Sequence, residues 1–428
     1  MENLQGDTWA FAQGGNWRTA KRTHVLTKYI GIWYNTHIQR TLRVQLNPSH
    51  AQADSLQETS RLFTAAFNTV CEHGWNARIS NGVALHHATY YPLKFEHPTL
   101  VSDLVVQARV KATETLQSAF AVQRKAEREQ TDTKVDMPHS DACPPRYNVH
   151  TYRVDWESCT VRMSTVTGRQ TIRFTIPDYS AKWAGYPTDT ADLLFRHGSW
   201  WLHIVVTVPA PDMAPTEQVT GVDLGIVRPA VTSNNHFLGK RAWKAIEGKQ
   251  FHLKRALQRK GTRSAKRHLK RVRSRQARFR RNCDHVLSKQ IVGSVQPGST
   301  IVIERLTDIR KRSKVRRKTI TARRIHSWSF AQLRTFIAYK AEERGCTVVA
   351  VDPRHTSQAC SCCGHTARNN RRSRGRFVCR NCGVELHADL NASRTIAAKY
   401  HASVAIRDAG GLPISQPIVS SRESATLD

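Results

Sequence analysis

Three acids and one cysteine cluster have the residue types and spacing to do chemistry. Asp223 stands in "GVDLG", directly after an apolar run. Glu304 ends "IVIE", and Asp389 stands in "HADLNAS" at the start of a helical pattern. A carboxylate on an otherwise apolar strand is costly to bury unless something positive meets it. Asp223 and Glu304 each have an ordinary explanation, a salt bridge to one of many arginines. Asp389 has another, because Asp near a helix N-terminus commonly caps it. The functional alternative is that the three converge. Clustered anions tolerate proximity only around cations, and hard oxygen ligands on an incomplete shell suit Mg²⁺ or Mn²⁺. Two such ions about 3.5–4 Å apart can activate a water on one side of a phosphodiester and stabilise the leaving oxygen on the other. No histidine is required, so His285, His326 and His365 need no catalytic role.

The second feature is "CSCCGHTARNNRRSRGRFVCRNCG", Cys360 to Gly383, which holds five of the ten cysteines. Cys360-x₂-Cys363 and Cys379-x₂-Cys382 follow four-thiolate zinc spacing. Each pair ends in a Cys-Gly step, which supplies a tight turn. Using Cys362 instead would leave a one-residue spacer, so it is expected to be a bystander, with His365 and His387 as nearby fallbacks. Four thiolates close the tetrahedron, so one structural Zn²⁺ is expected, with no open position for catalysis. The remaining cysteines, Cys71, Cys143, Cys159, Cys283 and Cys346, read as ordinary thiols.

The elements around these residues fall into blocks. "TLRVQL" (Thr41–Leu46) reads as a strand. Leu56, Phe63, Phe67, Val70, Cys71 and Trp75 form one helical stripe, and Val101, Leu104, Val105, Ala112, Leu116 and Phe120 a second. "TDTKVDMPHSDACPPR" is a proline-broken loop. Over 147–210 the period becomes two, as in "QTIRFTI" and "SWWLHIVVTV", predicting a small antiparallel sheet or barrel with Trp200–Trp201 packing rather than stacking on bases. From 217 the pattern is strand, tight turn, strand, then one long basic helical stretch over roughly 243–292. "STIVIERL", the amphipathic "SFAQLRTFIAYKAEERG" and "CTVVAVDP" follow, and "ADLNASRTIAAKYHA" reads as a last helix. Apolar strand runs next to helices predict an α/β unit with a central sheet.

The 428 residues contain 66 Lys and Arg against 33 Asp and Glu, a formal net charge of +33. Such a charge repels itself unless a polyanion neutralises it, so nucleic acid is the expected partner. Between Lys240 and Arg281 there are 18 Lys or Arg and one acid, Glu247. A second run, "RKRSKVRRK" (Arg310–Lys318), follows the Glu304 strand. Phosphate contacts of this kind position a nucleic acid without reading its sequence. No apolar window is long enough for a membrane span, and the first 30 residues lack a signal-peptide core, so a cytoplasmic location and no membrane partner are expected.

"GVDLG", "IVIERL", "TSQACSCCG" and "HADLNAS" stand in the order found in the OrfB/TnpB proteins of bacterial insertion sequences, and the chain also resembles the compact type V CRISPR effectors related to them. The motifs span about 221–394, and the N-terminal half matches in plan alone. The resemblance implies a RuvC-like nuclease of the RNase H fold with a zinc-ribbon insertion, preceded by a small β barrel and a helical recognition module. In fold class this is an α/β unit plus all-β and α modules. The implied organisation is a flexible tail over 1–30, a wedge-like β barrel from 31–50 and 145–215, and a helical recognition module over 51–144. The nuclease follows as 217–352 with the first two acid motifs, the zinc ribbon over 353–386, the third acid motif over 387–405 and a loose tail over 406–428. Asp223, Glu304 and Asp389 match the three catalytic carboxylates, which would hold two Mg²⁺ or Mn²⁺ ions. A guide RNA and double-stranded target DNA are the implied partners. By this match the ribbon helps fix where the chain enters the Asp389 helix, and the arginines of "RNNRRSRGR" ride beside the acids. The sequence departs from the pattern with "HAD" for "HRD" at 387–389, "TI" for "NI" at 395–396, and Arg305 after Glu304, where it can pair with that acid or with DNA. The implied function is an RNA-guided DNA endonuclease encoded by a transposable element. The alternatives are a CRISPR-like effector, a transposase that joins strands itself, and a non-catalytic guided binding protein. A tyrosine transposase has a superficial candidate in "HHATYY" (His86–Tyr91), which lacks acidic partners nearby.

Overall fold

The computed structural model describes residues 37–408 except 213, 227, 241, 307–318, 320–321, 323–324, 326–327 and 374. The N-terminal tail, the basic run Arg310–Lys318, His326 and residues 409–428 lie outside the described residues. Among the described residues no helix is long and apolar enough to cross a membrane.

The first half is an antiparallel sheet carrying a helical insertion. Strand β1 (His37–Asn47) is followed by three helices, α1 (His50–Asn76), α2 (Gly82–Glu96) and α3 (Ser102–Arg128). The chain then returns as β2 (Arg146–Tyr147), β3 (Tyr152–Asp155), β4 (Thr160–Thr165), β5 (Gly168–Thr175), the single turn α4 (Asp178–Ala181), β6 (Thr188–Arg196) and β7 (Ser199–Pro209). The seven strands pair in the order β2-β6-β7-β1-β5-β4-β3. Tyr152 on the β3 edge donates its hydroxyl to the Asp189 carbonyl of β6 at 3.1 Å, so the sheet curls nearly shut. The alternation in "SWWLHIVVTVP" buries Trp200, Leu202, Ile204, Val206 and Val208, while Trp201 on the other face stays partly exposed.

The helical insertion has one more helix than its two apolar stripes predict. Leu56, Phe63, Phe67, Val70 and Cys71 of α1 face Leu104, Val105, Ala112 and Leu116 of α3 in one core. Trp75 stacks on Phe120 with ring centroids 5.5 Å apart. Between them lies α2, capped by Asn81, whose Oδ1 accepts the amides of Val83 and Ala84. Its buried residues are just Leu85, Thr89 and Leu93, too narrow a stripe to stand out from sequence. The "HHATYY" segment lies on this helix, where His86 stacks on Tyr90 at 4.7 Å and Tyr91 is exposed.

The second half is built on a five-stranded sheet. Strands β8 (Val219–Asp223), β9 (Ala230–Thr232), β10 (Phe237–Leu238), β11 (Thr300–Glu304) and β12 (Thr347–Val351) pair in the order β10-β9-β8-β11-β12. β8, β11 and β12 run parallel, while β9 and β10 are antiparallel. Helices cover both faces, which is why the central strands read as unbroken apolar runs. On one face α6 (Arg263–Gly293) and α7 (Phe330–Glu342) bring Leu287, Ile291, Leu333 and Ile337 onto Val222, Ile301 and Ile303. On the other face α8 (Ala388–Asp408) brings Ile396 onto Val302 and Val351.

The long basic stretch is two helices rather than one. α5 (Ala242–Lys260) ends before Gly261–Thr262, and α6 begins with the Thr262 hydroxyl accepting the Ala265 amide at 3.3 Å. Local capping overrides the continuous helical propensity and folds the segment into a hairpin. α5 buries no residue, and the first half of α6 buries Ala265, Leu269 and Val272, so most of the cations stay on the outside.

Candidate functional site

Parallel pairing brings the first two acids side by side. Ile303 of β11 lies opposite Val222 of β8, so the following residues, Glu304 and Asp223, end adjacent strands. Side chains alternate along each strand. Val222, Ile301 and Ile303 point toward α6 and α7, and Val219 and Val302 toward α8. Asp223 and Glu304 share the parity of Val219 and Val302, and so lie on the α8 side.

α8 supplies the third acid, in its first turn. It reaches the sheet because residue 221 has no side chain. A Cβ there would lie 2.1 Å from the Ser393 carbonyl oxygen and 2.7 Å from the Ala397 nitrogen, both backbone atoms of α8. "GVDLG" therefore carries both an acid and the close approach that sets the helix beside it. Asp389 does not cap this helix through its own carboxylate in the described hydrogen bonds. His387 Nδ1 accepts the Asp389 amide at 3.3 Å, and the carboxylate pairs with Arg371 at 3.3 Å.

The electrostatics record the convergence. Burial pushes the Asp223 carboxyl up to about 8, the charges of Glu304 and Asp389 push in the same direction, and Arg371 opposes them. Glu304 is also raised, by burial, against the Thr356 hydroxyl bond and the charge of Lys399. The three oxygens sit more openly than a preformed ligand cage. Among the described residues the cysteine group alone gathers three or more ligand-type atoms within 4.8 Å of one another. The raised Asp223 and Glu304 carboxyls are what a cation would relieve, and the hard-oxygen donor set suits Mg²⁺ or Mn²⁺ better than a soft metal.

Several residues that the sequence did not single out hold these acids. Thr356, from "TSQ", donates its hydroxyl to Glu304 Oε1 at 2.5 Å. Asn391, fully buried in "DLNAS", donates to the Ala359 carbonyl at 2.8 Å and accepts the Ser361 amide at 3.0 Å, tying α8 to the start of the cysteine loop. Lys399 donates to the Asp352 carbonyl at 3.0 Å. The quoted motifs contain Thr356 and Asn391, but their partners are remote in sequence. Arg305 continues the strand through its amide, bonded to the Val351 carbonyl at 2.8 Å.

The four ribbon cysteines come together from two matched turns. Cys360 and Cys382 sulfurs are 3.7 Å apart, Cys363 and Cys379 3.5 Å, and all four lie within 4.8 Å of one another. In each turn the first cysteine's carbonyl accepts a glycine amide, Gly364 to Cys360 at 2.9 Å and Gly383 to Cys379 at 3.1 Å. Both glycines have positive φ, 75° and 72°, which L side chains rarely adopt. Backbone amides point at the sulfurs, from Cys362 to Cys360 Sγ and from Asn381 to Cys379 Sγ, each at 3.4 Å. Cys362 itself is exposed, and it lies outside the group, as do His365 and His387.

Four thiols facing one another divide their protons unevenly. The His365 amide pulls Cys363 down to about 6, and the Cys382 amide lowers Cys379. Burial raises Cys360, and Cys382 is pushed up to about 12 because desolvation and the three neighbouring sulfurs outweigh the Val384 amide. A cation among four sulfurs removes that conflict. The donor set is compatible with a structural Zn²⁺ and leaves no protein-free position. Strands β13 (Arg376–Val378) and β14 (Glu385–His387) close the loop, and Ala388, the first residue of α8, donates its amide to the Gly375 carbonyl at 3.1 Å.

Known proteins resemble this chain in sequence. Residues 330–396 match the family model described as "Cas12f1-like, TNB domain". The chain is 31% identical over 221 residues to the CRISPR-associated endodeoxyribonuclease Cas12f1 of Sulfoacidibacillus thermotolerans, covering 47% of this chain and 50% of that one. It is 31% identical over 240 residues to the putative RNA-guided DNA endonuclease InsQ of Escherichia coli K12, covering 51% and 59%. The matched segments thus span about half to three fifths of those relatives. A cryo-EM structure titled as a Cas12f1–sgRNA–target DNA complex superposes with a TM-score of 0.50 at 15% identity, covering 85% of this chain and 99% of that one.

Proposed function

We propose that this chain, a relative of the OrfB/TnpB proteins, is an RNA-guided DNA endonuclease encoded by a transposable element. The observation that carries the reading is the meeting of Asp223, Glu304 and Asp389 on one face, from two adjacent strand ends and the first turn of α8. The strand order, with two antiparallel strands beside three parallel ones, supports a RuvC-like RNase H fold for 217–352 and 387–405, with 353–386 as its zinc ribbon. The curled sheet of β1–β7 falls within the segments 31–50 and 145–215 that are read as the wedge-like barrel, and 51–144 is read as the recognition module. Guide RNA and double-stranded target DNA are the proposed partners. The names of the two endonuclease relatives and the unbalanced cations of α5 and α6 support them.

Asp223, Glu304 and Asp389 would hold two Mg²⁺ or Mn²⁺ ions. When bound, such ions lower the pKa of an attacking water and neutralise the leaving oxygen. The rest falls to side chains. Thr356 holds Glu304 in one rotamer, and Arg371 and Lys399 bring positive charge to a site that must accept a phosphodiester. Four closed thiolates exclude the ribbon metal from the chemistry, so its role is to hold the chain leading into α8.

The test is guided cleavage by protein purified with its own RNA, the RNA being sequenced to supply the target. Asp223→Ala should lower cleavage more than about a hundredfold, since even residues behind a metal's ligands are worth about 10–100-fold. Target binding should change little. Cleavage at the wild-type rate by Asp223→Ala would overturn the assignment.

A further inference from the structure

The strand register carries the row of the first acid on to an aromatic ring. Asp223 of β8 pairs with Val231 of β9, and Val231 pairs with Phe237 of β10. Residues directly opposite in antiparallel strands project to the same face. Phe237 therefore stands on the face of Asp223, two strands out, at about 10 Å given the usual strand spacing. In that row Val231 is buried, while Phe237 is 37% exposed at the sheet edge. The site touches this ring from two sides. His387, whose Nδ1 accepts the Asp389 amide, meets it edge-on with ring centroids 5.0 Å apart. Arg228, on the loop that leaves Asp223, lays its guanidinium over the ring at 4.8 Å. Among the described residues no carboxylate pairs with Arg228. A cation–π pair is ordinary by itself, at about one per 70–80 residues. Its place in register with Asp223 is what gives this one a role.

We propose that Phe237 and Arg228 form a stacking platform for one unpaired base of the DNA strand being cut. The proposal rests on the nuclease reading of the acids. A span of about 10 Å covers three stacked nucleotides at 3.4 Å each, and fewer where the strand is extended. A phosphate held at Asp223 thus leaves a base about one to three nucleotides away within reach of the ring. Aromatic rings and guanidinium planes both take the face of a base. The base must be unpaired, because in a duplex its faces are already stacked on its neighbours. Every base has such a face, and stacking reads no base edge, so the platform accepts any sequence. Arg228 adds a positive charge that suits the phosphates on either side of the stacked base. Holding the base there fixes where the neighbouring phosphate meets the acids.

The experiment uses the full chain purified with its own RNA and a matching target. One abasic residue is placed in turn at each position of the strand that the guide displaces, where it disturbs no pairing with the guide. Single-turnover cleavage should fall about tenfold at one position within about three nucleotides of the cut, as expected for one lost stack. Phe237→Leu should lose about tenfold on intact DNA and respond less than about twofold to that abasic residue, because the contact is already gone. Phe237→Trp should stay within about threefold of wild type. A ring with a packing role alone would reverse this order, since Leu fits its space and Trp overfills it. In a second arm 5-iodouracil replaces each base of the displaced strand in turn, the complex is irradiated, and crosslinked peptides are read by mass spectrometry. Phe237 should carry the crosslink. An abasic penalty that persists unchanged in Phe237→Leu, or crosslinks that all miss Phe237, overturns the platform. The crosslink is read whether or not DNA is cut, so a Phe237 adduct in a chain that cuts no DNA would keep the platform and refute the nuclease.

Discussion

Adding one methyl group at Gly221 should silence cleavage without touching an acid. In Gly221→Ala the new Cβ would sit 2.1 Å from the Ser393 carbonyl oxygen, where ordinary contact begins at 3.4 Å. The shortfall is about 1.3 Å, and the Ala397 nitrogen at 2.7 Å blocks a second direction. Both obstacles are helix backbone, so no rotamer change relieves them, and α8 must lift from β8. Asp389 rides on its first turn and would move with it, away from Asp223 and Glu304. A misplacement of about 1 Å at a reacting centre can cost on the order of a hundredfold in rate. Overpacking should also destabilise the sheet by about 1–3 kcal/mol. The assay is single-turnover guided cleavage alongside filter binding of target DNA and a thermal melt. The expected result is at least a tenfold to hundredfold loss of rate with target binding within about threefold of wild type. Wild-type cleavage in a variant with an unchanged melt would refute the close packing of α8 on β8 and the geometry derived from it.

Other outcomes follow from the same contacts. Zinc content measured by mass spectrometry should stay at one per chain in Cys362→Ser and fall in Cys363→Ser, because Cys362 lies outside the sulfur group. Burial holds the Asp284 carboxyl up to about 6, against the Ser329 hydrogen bond. Its folded pKa is raised, so its contribution to stability is complete below its unfolded value and is lost as pH rises through 6. Asp284→Asn should therefore melt close to wild type at about pH 3.5, below the unfolded carboxyl range, and above it at about pH 8, in parallel calorimetric scans. Replacing the exposed Lys266, Lys270 and Arg273 with Gln should flatten the log–log salt dependence of target binding by about 2–3, if each contacts a phosphate. An unchanged slope would place the nucleic acid elsewhere on the chain.

Much of the site could be read in the sequence because its motifs are local. Cysteine spacing alone separates Cys360, Cys363, Cys379 and Cys382 from Cys362, since the turn geometry is set by two or three consecutive residues. Asp223 and Glu304 stand out because an acid breaks an apolar strand run. The helix break at Gly261–Thr262 was harder to see, because one capping bond competes with long stretches of good helix formers on either side. The extra helix α2 hid for a related reason, as it buries a narrow stripe and leaves Val83, Tyr91 and Phe95 exposed. Asp389 looked like a cap on local grounds, but the acceptor is His387, and the carboxylate turns to an arginine 18 residues earlier in the chain.

Residue types and short spacings determined which groups can ligate, which strands are buried on both faces and where the charge accumulates. Sequence cannot carry distances between strands, because strand order and register are set by packing of the whole sheet. The pairing of β8 with β11 that sets Asp223 beside Glu304 was decided there, as was the seating of α8 on a bare glycine. Thr356 could become Glu304's partner, and Asp284 the acceptor of the Ser329 hydroxyl, only once distant segments had met. Those arrangements arise because burying apolar faces fixes the backbones first, and the polar groups then take whatever partners that geometry leaves them.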